Sequence, residues 1–139
     1  MRVLALLATA LSAAGIVSAA KGAVTYDTVY DNSKLSTNLI ACSDGKNGLR
    51  TKGYKTIGAL PSFPNVGGAP AIAGWNSKKC GTCWNVVYKG RNVTFTAIDA
   101  AKTINLSKKA VNYLTKNQAV KLGTVQATYT QVDASACGL

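Results

Sequence analysis

The stretch Gly74-Trp75-Asn76-Ser77-Lys78-Lys79-Cys80-Gly81-Thr82-Cys83-Trp84 holds two of the four cysteines and both tryptophans. Cys80 and Cys83 stand three apart, too close to satisfy each other comfortably in an extended chain. A ring between them would close a loop too small to stabilise much, because the entropic gain grows with loop length. Each is better placed to reach a distant partner, Cys42 before it or Cys137 after it. Two covalent tethers then meet in this short segment, and the remaining chain is what they bring together. Four cysteines allow three pairings, and the residues alone leave them open.

That reading depends on an oxidising compartment. Met1-Arg2 is a basic start, Val3 to Leu11 is an apolar run, and Val17-Ser18-Ala19-Ala20 offers small residues for cleavage. This is the pattern of a secretory signal peptide, assigned to residues 1–20, followed by one domain over 21–139. The apolar run is short and alanine-rich for a membrane span, which needs about 20 apolar residues. In an exported chain, four cysteines imply two disulfides. A zinc site needs further Cys or His ligands at short spacing, and the chain has no histidine. A thioredoxin-like redox pair belongs to a different, cytosolic context. No metal and no cofactor are expected.

Charge is the second strong feature. Without Arg2, 15 basic residues face 5 acidic ones, a balance of +10. Such an excess favours polyanions or solubility and carries no information on fold. The cations are scattered and the protein is read as secreted, so an anionic cell-wall or membrane surface is preferred to nucleic acid as partner.

Val24 to Tyr30 is β-branched and aromatic and predicts a strand. Leu49 to Ile57 predicts another, with Arg50, Lys52 and Tyr54 on one face. Leu60 to Pro70 carries all three prolines; it is read as an ordered surface loop, excluded from the centre of a sheet, leading into a helical turn at Ala71 to Gly74. Trp84 to Tyr88 and Val93 to Ile98 flank Lys89-Gly90-Arg91-Asn92 as a hairpin. Ser107 caps a helix carrying Ala110, Val111 and Leu114 on its inner side. Asn117 is expected to cap one further turn, Gln118 to Leu122, closed by Gly123. Thr124 to Val132 alternates as a last strand. Many short strands and scant helix predict a mainly β domain, closed or nearly closed.

The chemistry is constrained by what is missing. With no His there is no catalytic triad, and all five acidic residues are Asp. Asp99 ends the strand Thr94-Phe95-Thr96-Ala97-Ile98-Asp99 where a loop begins, a position suited to facing a ligand. Asp27 is the candidate to lie across from it. A carboxylate pair can cleave a glycosidic bond, but one member must be held protonated, and an excess of cations works against that. The bland role for Asp99 is a loop cap bonding backbone amides. Asn92-Val93-Thr94 and Asn105-Leu106-Ser107 are glycosylation sequons of little weight alone.

At this point the chain resembles the cerato-platanins, small secreted fungal proteins. The likeness covers nearly all of the mature chain. It runs through Val24-Thr25-Tyr26-Asp27-Thr28-Val29-Tyr30-Asp31, Ala41-Cys42-Ser43-Asp44-Gly45, Asn47-Gly48-Leu49 and Leu60-Pro61-Ser62-Phe63-Pro64. It continues through Gly67 to Asn76, Cys80-Gly81-Thr82-Cys83-Trp84, Ala97-Ile98-Asp99 and Cys137-Gly138-Leu139.

The resemblance implies a six-stranded double-psi β-barrel with a few short helices, and disulfides Cys42–Cys80 and Cys83–Cys137. It implies a secreted, non-enzymatic protein that binds chitin-type N-acetylglucosamine oligomers, loosens polysaccharide and elicits plant defence, with a plant surface receptor and self-assembly left open as partners. It maps the sugar groove onto Asp99 and Asn105, with Tyr26, Asp27, Gly53, Tyr54 and Asn76 as further groove candidates. Two features depart from the family pattern. The loop Ala100-Ala101-Lys102-Thr103-Ile104-Asn105 lacks the usual glycines and aromatic, and the charge is strongly basic. They keep two other functions in view: a weak glycan hydrolase on the same barrel, and a basic surface-active protein bound to anionic glycan or membrane.

Overall fold

The computed structural model describes residues 19–139. The signal peptide read from residues 1–20 lies almost wholly outside the described residues.

Six strands close into a barrel in the order β1-β5-β2-β4-β3-β6. They are β1 (Ala20–Tyr26), β2 (Val66–Ala69), β3 (Cys83–Tyr88), β4 (Arg91–Ala100), β5 (Ile104–Leu106) and β6 (Val125–Val132). This is the expected double-psi barrel. β1 runs parallel to β5 and β2 parallel to β4, while the other pairs are antiparallel. Closure leaves no bare sheet edge. Two short helices, α1 (Lys108–Thr115) and α2 (Ala119–Leu122), connect β5 to β6.

Local chemistry explains the elements that were expected. The β3–β4 hairpin turns on Lys89 and Gly90, both at positive φ (46° and 78°) with Tyr88 paired to Arg91. That is the two-residue turn whose twist matches the strands it joins. Ser107 Oγ accepts from the Ala110 amide and starts α1, and the buried residues of α1 include Ala110, Val111 and Leu114. Asp31 adds a second N-terminal cap, its carboxylate accepting from the Lys108 and Lys109 amides. A negative group there complements the helix dipole. The core centres on Val24, Val66, Val86, Phe95, Ile98, Ile104 and Leu106, all essentially inaccessible to solvent.

Both disulfides form as the family resemblance implied, Cys42–Cys80 and Cys83–Cys137.

Five local expectations are corrected. β1 ends at Tyr26, not Tyr30, because Asp27 turns the chain by accepting from the Val29 amide and capping a 3-10 turn over Thr28–Asp31. Residues 49–57 form no strand: 49–53 are turns, Thr56 makes one isolated bridge with Ser36, and Ile57 opens a 3-10 turn. The Leu49 amide bonds the Cys42 carbonyl and the Tyr54 amide returns to Leu49, so Arg50, Lys52 and Tyr54 share no strand face. The segment read as a surface loop contains β2, buried throughout and hydrogen-bonded on both sides. Pro64 and Pro70 flank it, and the glycines are there for closeness: a Cβ on Gly67 would stand 2.1 Å from the Asn105 carbonyl oxygen. The helical turn at Ala71–Gly74 is a single reverse turn, with the Ile72 amide on the Ala69 carbonyl. Finally, α2 is capped by Asn112, whose Oδ1 accepts from the Ala119 amide, and not by Asn117. Gly123 closes it as expected.

Candidate functional site

Asp99 stands at the C-terminal end of β4 and is half-buried. Its Oδ2 accepts from the Tyr30 hydroxyl at 2.8 Å. Its Oδ1 accepts from the Ala41 amide at 2.9 Å and from the Ala100 amide at 3.0 Å. Three donors therefore hold one carboxylate, which has about four lone-pair positions. Burial first, then this hydrogen bond, then the charges of Asp99 and Asp27, push the Tyr30 phenol far above its ordinary range. Tyr30 is thus a fixed donor at any physiological pH. The loop-capping role foreseen for Asp99 is present, and it leaves an acceptor position over.

The barrel places Asn105 near it. Gly68 of β2 is the register partner of Asp99 on one side and of Asn105 on the other. Two strand spacings of about 4.8 Å then separate the backbones of the two polar residues, roughly 10 Å. Between them Gly68 has no side chain because the Ala101 methyl packs over it: an added Cβ would meet Ala101 Cβ at 2.7 Å. Asn105 is oriented in turn: its Oδ1 accepts from Thr25 Oγ1 at 2.9 Å, and Thr25 meets Thr103 Oγ1 at 2.7 Å. The result is a shallow polar floor with an ordered acceptor at each end.

The other candidates are arranged differently. Asp27 is exposed and spent on the Val29 amide. Its backbone follows half-buried Tyr26 at the end of β1. Gly53 is exposed at a φ of 97°, and a Cβ added there would meet nothing within 4 Å. Tyr54 lines a cavity of about 260 Å³ with Leu49, Lys52 and Gly81, apart from the Asp99 floor. Asn76, at a φ of 58°, clamps the facing loop: Oδ1 accepts from the Asn47 amide, and its carbonyl accepts from Asn47 Nδ2.

Two groups escaped the sequence reading. One is Tyr30, hidden because a straight strand would have carried it away from Asp99. The other is Trp75. The residue is 63% exposed, yet its indole is fixed by Nε1 donating to Asp44 Oδ1 at 2.7 Å. Gly45 permits this packing, since a Cβ there would meet Asn76 and Trp75 at 2.8–3.0 Å. The signal was available: a tryptophan between Gly74 and Asn76, in a stretch too polar to be core. The segment 41–47 connects these groups, bonded to Asp99 through the Ala41 amide and to Trp75 through Asp44.

The cerato-platanin family model matches residues 22–139. The chain belongs to the cerato-platanin family. Allergen Asp f 15 of Aspergillus fumigatus is 48% identical over 115 residues, covering 82% of this chain and 75% of that one. Among solved structures, cerato-platanin 3 from M. perniciosa superposes with a TM-score of 0.83 at 43% identity, covering 86% of this chain and all of the other. The solution structure of the fungal elicitor cerato-platanin gives 0.76 at 39% identity, over 83% of this chain and 95% of that one. A Clavibacter michiganensis expansin variant solved with cellohexaose shares the fold, with a TM-score of 0.56 at 15% identity over 84% of this chain and 51% of that one.

Proposed function

We propose that this protein is a secreted, non-catalytic carbohydrate-binding member of its family, an elicitor of plant defence that engages chitin-type or related cell-wall oligosaccharides and loosens polysaccharide. The observation that carries the reading is the pair of ordered polar groups, Asp99 and Asn105, set on either side of Gly68, with the Ala101 methyl packed over that glycine. A sugar chain offers hydroxyls and acetamide N–H groups as donors and flat ring faces as apolar surface. The free acceptor position of Asp99 and the Asn105 amide suit the former; the fixed, exposed Trp75 indole suits the latter. The expansin that shares this fold was solved with a glucan oligomer, which agrees with such a use of the barrel. A plant surface receptor would then meet the loaded protein.

Catalysis is left out of the reading because no carboxylate pair is poised for it. Asp27 caps a turn and Asp99 accepts from three protein donors. Neither is arranged to hand a proton to a leaving oxygen.

The test is a glycan array with wild type, Asp99→Asn and Trp75→Ala, alongside an assay for reducing ends. Asp99→Asn preserves shape and removes charge. Loss of a charge-assisted bond, about 1.5–3 kcal/mol, should weaken binding roughly ten- to a hundredfold. Undiminished affinity of both folded variants for every glycan recognised by wild type would remove this floor from the site. Release of reducing ends by wild type, stopped in Asp99→Asn, would establish the hydrolase instead.

A further inference from the structure

At the far end of β4 the surface changes character. A cleft of about 240 Å³ is lined by Tyr88, Lys89, Arg91, Leu114, Lys116 and Leu122, among others. A second, of about 330 Å³, adjoins it through Tyr88 and Lys89 and adds Lys21 and Val87. No carboxylate lines either. The five aspartates are engaged elsewhere, each accepting from an uncharged donor. Four cations therefore line two adjoining clefts that share Tyr88 and Lys89, with no acidic residue in their walls.

Two of these cations stand where the backbone argues against lysine. Lys89 has a φ of 46° at the β-hairpin and Lys116 a φ of 57° at the end of α1. Both positions favour Asn or Gly, because a Cβ is disfavoured in the left-handed region. Strained positions persisting side by side are a reason to look for function. Arg91 is fixed in another way. Its guanidinium lies 4.5 Å from the Tyr113 ring centroid, and its Nε donates to the Tyr113 carbonyl at 2.8 Å. That bond uses Nε and leaves the paired Nη groups, the fork that meets a carboxylate with two parallel hydrogen bonds.

We propose that these joined clefts are a binding site for a linear acidic polysaccharide, one bearing carboxylates along its chain, as polyuronates do. The cations neutralise successive carboxylates, Arg91 takes one in bidentate fashion, and Tyr88 with the apolar floor of Leu122 and Val87 receives ring faces. Concavity selects a chain that lies within it over a flat lipid surface. Cations spread over two adjoining clefts select a polymer over a single small anion. The site is separate from the Asp99 floor and does not rest on its reading.

The left-handed backbone at Lys89 and Lys116 allows a variant that removes charge without straining the fold. Lys89→Asn/Lys116→Gly removes two cations and places favoured residues at both positions, so the variant should fold and melt near or above wild type. Binding to polygalacturonate, measured at low and high salt, should be strong and salt-sensitive in wild type, since exposed charge interactions are screened within about 10 Å at 0.1 M. The double variant should lose about tenfold. Lys34→Gln/Lys55→Gln, which removes the same charge from outside the clefts, should keep wild-type affinity. Equal loss in the Lys34/Lys55 control would reduce the effect to net charge and overturn the site. So would absence of polygalacturonate binding, or undiminished binding in the cleft variant. Tighter binding of duplex DNA or phosphatidylserine vesicles, weakened by the same cleft variant, would overturn the polysaccharide as its ligand.

Discussion

The two ends of β4 solve opposite problems. At Arg91 the strand opens a surface rich in cations, with two lysines held in left-handed backbone. At Asp99, eight residues on and roughly 26 Å away at about 3.3 Å per residue, a single carboxylate is satisfied by three protein donors. Both disulfides serve the Asp99 end: Cys42 adjoins Ala41, and Cys83 is the register partner of Thr96. The Asp99 end is thus built by covalent and hydrogen-bonded restraint, which suits the uncharged sugar chain proposed for it. The Arg91 end is built by charge on a simple hairpin and a helix end. Long-range Coulomb attraction tolerates looser placement than a hydrogen bond does.

The largest expected effect breaks the restraint at the Asp99 end. Cys42→Ser/Cys80→Ser frees a separation of 38 residues, and the chain-entropy relation gives a loss of about 4 kcal/mol. A domain with 5–15 kcal/mol of stability feels this strongly. Melting should fall by many degrees. In the still-folded protein, hydrogen exchange should quicken at the Ala41 amide while the Val93 amide of the hairpin keeps its protection. Equal acceleration at both would mean that the staple supports the whole barrel and not one end of it.

Next in size is Asp99→Ala. It leaves the buried Tyr30 hydroxyl and the Ala41 amide without their acceptor, and the cost is on the order of 3 kcal/mol. Asp99→Asn retains acceptors for both amides and should cost much less. If the two variants melt alike, the network does not restrain this end. If Asp99→Asn keeps stability and loses glycan binding, structural and recognition roles of the same carboxylate separate.

What the sequence disclosed follows the same divide between local and distant causes. The hairpin at Lys89-Gly90, the helix after Ser107 and the alternation of β6 were readable because their causes lie within a few residues. β2 was not. Gly67 is required by the Asn105 backbone, 38 positions away, and a Pro-Gly-rich stretch gives no hint of which neighbour will approach. Residues 49–57 have strand composition but are held in turns by the Cys42 and Ser43 carbonyls. Of the candidate groove, Asp99 and Asn105 lie on two strands that flank Gly68, one register partner on each side of it. Tyr30 and Trp75 were missed because their partners, Asp99 and Asp44, are tertiary facts; the bend at Asp27 is local, but it was read through as strand. The cationic clefts draw on Lys21, Lys89, Arg91 and Lys116, dispersed over most of the chain, so only net charge was visible beforehand.

A smaller effect separates the ends by pH. The Tyr30 phenol is held far above its ordinary range by burial and then by Asp99. Below pH about 10 it is protonated whether folded or not, and its bond to Asp99 contributes in full. Above that, the unfolded chain ionises and the folded one does not, so stability falls as pH rises. Tyr30→Phe should cost about 2 kcal/mol at neutral pH and should flatten the decline between pH 9 and 11 relative to wild type. Parallel declines would mean that other groups dominate alkaline unfolding.

The smallest effect has the opposite sign. Lys116 ends α1 at a φ of 57°, its amide bonded to the Asn112 carbonyl. A non-glycine residue there costs about 1–2 kcal/mol, whereas glycine adds roughly 0.4–1 kcal/mol of unfolded-state freedom. Lys116→Gly should therefore stabilise by up to about 1 kcal/mol, read as a rise in melting temperature of a few degrees. The gain should persist in high salt, because relief of a steric conflict is not screened. A gain that vanishes as salt is added would instead come from relaxed repulsion among the cleft cations. A loss of stability would show that the Lys116 side chain makes contacts that outweigh its backbone cost. In that case its placement in the left-handed region would be a matter of packing, and the contrast between a restrained end and a charged end would narrow.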